Sequence, residues 1–250
     1  MKIGALVLVR MGSSRLPGKP LKQVMGTSIL DFLLTRLGQC QMLDQIIVTM
    51  PDGPKDDVLQ KHCEERNISF FRGDEDDVLG RISGTVDEFK LDAGVTVFGD
   101  CPLIDPNIVD TTIQYFKAHH GKYDFVGNDL KTTFPPGMEV EVFTKESIHK
   151  ASSIESNPAI REHGTLHIRQ NPLDFKLHNI ESSGKLLRPE LELELDSQED
   201  FEVIEKIITH FHPRNDFSLE EIIDYMDKNP ELRKKNGNVP RKWKEYRNED

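Results

Sequence analysis

The chain has little of what small folds use as staples. It carries three cysteines in 250 residues, Cys40, Cys63 and Cys101. None stands in C-x-x-C spacing, so the sequence offers neither a disulfide framework nor a cysteine zinc site, and a reducing compartment is expected. The histidines, including His119-His120 and the His210/His212 pair, show no metal-binding spacing. No apolar run approaches the ~20 residues needed to cross a bilayer. The first run, Ile3 to Val9, ends at Arg10, too short for a signal-peptide core with its cleavage site. These absences lead us to expect a cytoplasmic protein with no membrane partner. An excess of positive charge is also missing. The net charge of −11 argues against a nucleic-acid partner, whose footprint would be basic.

Two phosphate-binding fingerprints are absent as well. A Walker A loop needs G-x-x-x-x-G-K-[ST]. Here five residues separate Gly12 from Gly18, and Pro20 stands where the hydroxyl residue belongs. The G-x-G-x-x-G dinucleotide pattern does not occur there either.

What is present is a distinctive stretch, Arg10-Met11-Gly12-Ser13-Ser14-Arg15-Leu16-Pro17-Gly18-Lys19-Pro20. It follows the apolar strand 3–9 and precedes a helix over 28–37, where Ile29, Leu30, Leu33, Leu34 and Leu37 recur at helical spacing. Glycines let backbone N–H groups approach a ligand. Two serines and three cations add donors and positive charge, a combination suited to a polyphosphate.

The rest of the chain alternates in kind. Strands are expected at 45–50, 68–71, 95–98 and 123–126, with helices at 56–66, 76–89 and from Pro106, where Asp105 is the N-cap. Such alternation means βαβ units and a mainly parallel sheet with helices on both faces. Ligands bind at the carboxyl ends of such strands. The Arg10–Pro20 loop and Gly99-Asp100 both follow strands, so both fall on that edge.

Residues 127–185 are less regular. We expect a strand at 138–143, helices at 145–152 and 158–169, and an extended stretch at 175–180, together forming an excursion over the acceptor site and a possible dimer contact. Leu191, Leu193 and Leu195 alternate with Glu192 and Glu194, which predicts a strand with one buried face. Asp196 ends it, and Ser197 to Asp200 opens a helix as a capping box. A further amphipathic helix carries Leu219, Ile222, Ile223 and Met226. The domain is expected to span 1–228, and 229–250, polar and holding the sole tryptophan, Trp243, reads as a charged surface tail.

Asp100 and Asp196 are strand-end carboxylates facing a cationic loop. Magnesium takes one or two carboxylates and fills its octahedron with phosphate oxygens and water. Either aspartate alone reads equally well as a turn cap, but the pair suggests a metal.

The run R-M-G-S-S-R-L-P-G-K-P-L resembles the signature of cytidylyltransferases that activate acidic sugars, namely the CMP-KDO synthetases and the spore-coat polysaccharide proteins related to them. G-D-C-P-L-I-D-P resembles that family's G-D-x-P-L-I. L-E-L-D-S-Q-E-D-F resembles its late L-x-x-D-T-x-E-D, with Ser197-Gln198 replacing the usual Thr-Pro. The resemblance covers roughly residues 3–210. It implies a three-layer Rossmann-like α/β sandwich of the nucleotide-diphospho-sugar transferase type. It implies transfer of CMP from CTP to an acidic sugar or related acceptor for surface glycan biosynthesis, with Mg²⁺ as cofactor and a homodimer as assembly. Residue by residue, it implies that Asp100 and Asp196 hold the metal. Lys19, Arg15 and Asp100 become the catalytic set, and Arg10, Met11, Gly12, Ser13, Ser14, Arg15 and Lys19 the nucleotide loop.

Arg72-Gly73 with Asp77-Val78-Leu79-Gly80-Arg81 resembles R-G-x-x-x-D-V-L-x-R, which adds Arg72 and Arg81 to the nucleotide site. Taken alone, Arg81 is as well read as a solvated helix arginine. Pro135 to Phe143 resembles the spore-coat P-x-G-x-D-V-E-V-F, with Glu139 where Asp is usual. Arg161 to Thr165 resembles R-E-H-x-T. These place Gly137, Glu139, Arg161, Glu162 and His163 at the acceptor. Two other readings stay open: the same fold using another NTP or a non-sugar acceptor, and a catalytically silent nucleotide-binding protein.

Overall fold

The structure, a computed structural model, describes residues 1–241. Trp243 and the rest of the expected tail from 242 lie outside the described residues.

Strand β1 (Ile3–Leu8) is buried from Ile3 to Val7 because both its faces are covered. A small hairpin, β2 (Gln23–Val24) and β3 (Thr27–Ser28), leads into helix α1 (Ile29–Leu37), whose N-cap Ser28 accepts the Asp31 N–H. Then follow β4 (Gln45–Pro51), α2 (Asp57–Glu65), β5 (Phe70–Gly73), α3 (Val78–Glu88), β6 (Ala93–Phe98) and α4 (Pro106–Ala118). The second half contains β7 (Phe125–Gly127), β8 (Glu141–Thr144), α5 (Lys145–Ile154), α6 (Pro158–Arg161), α7 (Leu166–Gln170), β9 (Leu177–Asn179), α8 (Gln198–Phe211), α9 (Leu219–Lys228) and α10 (Pro230–Asn236).

Among the described residues, seven strands form one sheet in the order β5-β4-β1-β6-β8-β7-β9. It is parallel except where β8 pairs antiparallel with β6 and with β7. Alternate strand residues feed two cores, as the period of two requires. Ile3, Val7, Val48, Met50, Val126 and Val142 pack with α1, α2, α4, α8 and α9. Leu6, Ile47, Phe125 and Phe143 pack with α3, α5 and α7 on the other face. The result is the expected three-layer α/β sandwich.

Four sequence expectations need correction. First, the stretch expected as an excursion contributes β8 to the middle of the sheet, because Val140, Val142 and Phe143 are fully buried and fill both faces. Second, the helix expected over 158–169 is two short helices. The chain breaks at Gly164, whose φ of +58° leaves the helical region. Third, Leu191–Leu195 buries its three leucines but joins no ladder. Its amides go instead to loop carbonyls, Leu193 N–H to Pro136 O at 2.8 Å and Leu195 N–H to Asp100 O at 2.7 Å. Gly137 permits this approach: its φ is +99°, and a Cβ there would lie 2.6 Å from the Leu193 carbonyl. Fourth, the expected tail begins with α10 and packs inward, with Asn236 and Arg241 buried. Their polar groups meet a buried carboxylate, a partner that composition alone does not reveal.

Candidate active site

The Arg10–Pro20 loop leaves β1 at the carboxyl edge of the sheet and is fixed by its own backbone. Met11 N–H donates to Asp56 Oδ1 at 2.7 Å, Gly18 N–H to Met11 O at 3.2 Å, and Leu16 N–H to Ser13 Oγ at 3.3 Å. Leu16 is buried and anchors the middle of the loop. The loop ends at Lys19, which opens a single 3₁₀ turn, Lys19–Leu21.

Two other strand-edge segments come to meet it. Asp100 follows β6, tied to β1 by Gly99 N–H donating to Leu8 O at 2.9 Å. Asp196 follows the leucine segment and is brought alongside Asp100 by the Leu195–Asp100 backbone bond. Lys19 Nζ then bridges them, 3.0 Å from Asp100 Oδ2, 3.1 Å from Asp196 Oδ1 and 2.9 Å from Leu195 O. Burial works against the ammonium charge, but the two aspartates outweigh it and hold the pKa above its ordinary value. Arg15 pairs with the other oxygen of Asp196.

These groups line a cavity of about 360 Å³, within the range of small-molecule sites. Arg10, Ser13, Ser14, Arg15, Lys19, Asp100 and Asp196 are in its wall. So are Arg81, Glu139, Glu162 and His163 from the expected nucleotide and acceptor sets. The last two lie in the turn between α6 and α7, just before Gly164. Glu162 Oε1 lies 3.9 Å from Arg10 Nη1. Burial lowers the His163 pKa, with Glu162 opposing and Arg10 adding to the shift. Arg81 is buried and donates to Asp74 O at 2.8 Å, so it is not a solvated helix arginine.

Five expected site residues do not reach the cavity wall. Met11 fixes the loop through its backbone bonds to Asp56 and Gly18, and Gly12 is exposed. Arg72 is spent on Pro51 O, Gly53 O, Asp57 and Gln60, holding the turn after β4. Arg161 forms a two-point pair with Asp77, at 2.9 and 2.7 Å, and caps Ser152 O and Glu155 O. Gly137 serves the backbone approach to Leu193.

Sequence reasoning missed Glu194, Asp129 and Arg169. Strict alternation put Glu194 on the solvent side, but the segment is not a ladder strand, and its carboxylate joins the cavity wall. Arg169 binds Asp129 at 3.0 Å and Glu141 at 3.2 Å. Burial and Asp129 push Glu141 up to about 7, against the pull of Arg169.

Asp100, Glu194 and Asp196 offer carboxylate oxygens that all lie within 4.8 Å of one another. Glu194 Oε2 is buried with no hydrogen-bond partner among the described residues. Burial, then Asp100, Asp196 and Glu139, drive the Glu194 carboxyl well above its ordinary range. A hard, all-oxygen, acidic donor set of this kind fits a divalent cation such as Mg²⁺ or Mn²⁺.

Fold, phosphate-type loop and clustered carboxylates all point one way, and the sequence match decides it: the model of the family described as Cytidylyltransferase matches residues 4–229. The chain belongs to the cytidylyltransferase family. This cytidylyltransferase is therefore a CTP-dependent nucleotidyltransferase. It is 32% identical to an uncharacterised protein of Methanocaldococcus jannaschii over 97% of both chains. It is 29% identical to the spore coat polysaccharide biosynthesis protein SpsF of Bacillus subtilis, over 90% of this chain and 94% of that one. A solved cytidylyltransferase of Leptospira borgpetersenii shares 32% identity and a TM-score of 0.88, covering 93% of this chain and 97% of the other. A CMP:2-keto-3-deoxy-manno-octonic acid synthetase complexed with CTP shares the fold, with a TM-score of 0.63 at 15% identity over 84% and 99% of the two chains. Among the described residues, no helix of the cytidylyltransferase is long and apolar enough to cross a membrane.

Proposed function

We propose that this cytidylyltransferase moves CMP from CTP to a hydroxyl of an acidic sugar or related acceptor, in the cytoplasm, for surface glycan synthesis. The observation that carries the reading is Lys19 Nζ set between Asp100 and Asp196 in the wall of the cavity.

In the proposed reaction the acceptor oxygen forms a bond to the α-phosphorus of CTP. The bond from that phosphorus to the β-phosphate oxygen breaks, the hydroxyl proton passes to solvent, and pyrophosphate leaves. Little covalent work falls to the protein in such a transfer, so positioning and charge stabilisation do most of it. Arg10, Arg15 and Lys19 supply fixed positive charge to the triphosphate from one loop. The backbone and hydroxyls of Ser13 and Ser14 add neutral donors. Asp100, Asp196 and Glu194 would hold Mg²⁺, which when bound neutralises phosphate charge and orients the phosphate oxygens. Beyond the loop, the guanidinium groups in the cavity wall are, among the described residues, Arg81 and Arg169, the latter also paired with Asp129 and Glu141. We assign these two arginines to the acidic acceptor and the phosphates. His163, whose pKa burial lowers, presents a hydrogen-bonding ring to the acceptor. A homodimer belongs to the same reading and is checked by sedimentation velocity.

The test is pyrophosphate release from CTP, UTP, ATP and GTP with Mg²⁺ and a panel of acidic sugars, with Asp100→Ala as control. Release with CTP and an acidic sugar, lost in the control and on chelation of the metal, is expected. Release that prefers another nucleotide overturns cytidyl selectivity. Release only with neutral or non-sugar acceptors overturns the acceptor class.

A further inference from the structure

The family match ends at residue 229, yet the segment beyond it reaches the active site by two routes. The first runs behind Asp196. Arg241, with its side chain 1% exposed, clamps the fully buried Asp200 through two bonds, Nη1 to Oδ2 at 2.9 Å and Nη2 to Oδ1 at 2.7 Å. Asn236 adds Nδ2 to Asp200 Oδ1 at 2.9 Å and to Glu192 O at 3.1 Å. Asp200 in turn accepts the N–H groups of Asp196 at 3.1 Å and Ser197 at 2.8 Å. The second route runs in front. The Pro240 carbonyl accepts from Arg15 Nη1 at 2.9 Å, while Arg15 Nη2 pairs with Asp196.

Arg15 and Asp196 therefore meet between two parts of one strap. A long exposed arginine at a loop samples many rotamers, and fixing it costs side-chain entropy. A backbone carbonyl next to a buried anchor residue offers a rigid acceptor, so that cost falls before the nucleotide arrives. Asp196, whose backbone N–H is held by the clamped Asp200 carboxylate, is likewise pre-placed.

We propose that residues 236–241 form a positioning strap for the nucleotide loop. Arg241, acting through Asp200 and through the neighbouring Pro240 carbonyl, sets the placement of Arg15 against Asp196. Arg241 is a positioning residue and touches no substrate. The proposal rests on the reading that Arg15 meets the CTP triphosphate.

The experiment is calorimetric CTP binding with Mg²⁺, on full-length wild type, Arg15→Ala, Arg241→Ala, Arg241→Lys, Asn236→Ala and the Arg15→Ala/Arg241→Lys double variant. Each is assayed well below its own melting temperature. Arg241→Ala strips a buried ion pair and is the variant most prone to misfold. Arg241→Lys keeps the charge but loses the two-point fork, and Asn236→Ala removes only a neutral donor. The strap predicts that Arg241→Lys weakens CTP about tenfold and Asn236→Ala less. In the Arg15→Ala background Arg241→Lys should add little, because both act through one contact. A weakened Arg15→Ala beside Arg241→Lys and Asn236→Ala proteins that bind like wild type, with only lower melting temperatures, overturns the strap. Additive losses in the double variant overturn it as well. If Arg15→Ala binds CTP like wild type, the loop reading fails and takes the strap with it.

Discussion

Lys19 and Asp100 are 81 residues apart in sequence and 3.0 Å apart in space. Lys19 closes a loop and opens a short 3₁₀ turn, and Asp100 follows β6. Their meeting depends on β1 lying beside β6 in parallel register, Leu8 against Phe98, so that both strands discharge at one edge. Asp196 completes the arrangement through a backbone bond and not through the sheet.

The first prediction concerns that lysine. Lys19→Ala removes the cation shared by two carboxylates. Pyrophosphate release, measured with an acceptor that wild type accepts, should fall by ~10²–10³, the usual effect of losing one preorganised charge donor. Lys19→Arg should rescue little, because a planar fork does not replace a point charge in this space. Retention of more than a tenth of the activity by Lys19→Ala would remove Lys19 from the reacting centre.

Arg72 makes an opposite case. Its guanidinium is consumed by the turn after β4 and lies outside the cavity wall. Arg72→Ala should leave CTP affinity unchanged and lower the melting temperature by ~2–4 °C, as expected for a loss of about 1 kcal/mol in a chain of this size. Isothermal titration and a thermal melt on the same sample separate the two outcomes; weakened CTP binding would return Arg72 to the nucleotide site.

The Asp77–Arg161 pair gives a pH dependence. Burial acts to raise the Asp77 carboxyl, but Arg161 and the Gly80 N–H outweigh it and hold the pKa below the ordinary carboxylate range. The stabilisation is therefore present above the unfolded value, ~3.9, and is lost as pH falls through the folded one. Asp77→Asn keeps a capping side chain and removes the charge. It should be less stable than wild type at pH 7 by ~0.5–1 kcal/mol, the modest figure proper to a partly exposed pair. That gap should close below about pH 4. A gap that stays constant down to pH 3 in urea titrations would mean that the ion pair is not its source.

Gly137 tests the leucine segment. Alanine there is strained at φ +99° and drives a methyl group into the Leu193 carbonyl. Gly137→Ala should cost ~1–3 kcal/mol and weaken CTP binding too, because Asp196 hangs on the same segment. Wild-type denaturation midpoints in that variant would show that the close approach is not needed.

Much of this molecule is written locally. The alternation of apolar strands and amphipathic helices, the Asp105 cap and the Ser197–Asp200 capping box depend on neighbours within a few residues, and the structure has them where the sequence puts them. Even the convergence of the Arg10–Pro20 loop and Asp100 follows from topology, since successive parallel strands must end on one side. The fates of charged side chains were not legible in this way. Arg161 finds Asp77 84 residues away, and Arg241 finds Asp200 at a distance of 41, while Arg72 and Arg81 sit in one motif and divide between scaffold and cavity. Glu194 faces the site only because Leu191–Leu195 bonds to loop carbonyls instead of a strand. Periodicity and capping are short-range physics, and sequence carries them. The pairing of a guanidinium with a distant carboxylate is decided by which backbones the two cores bring together, and only the folded chain contains that information.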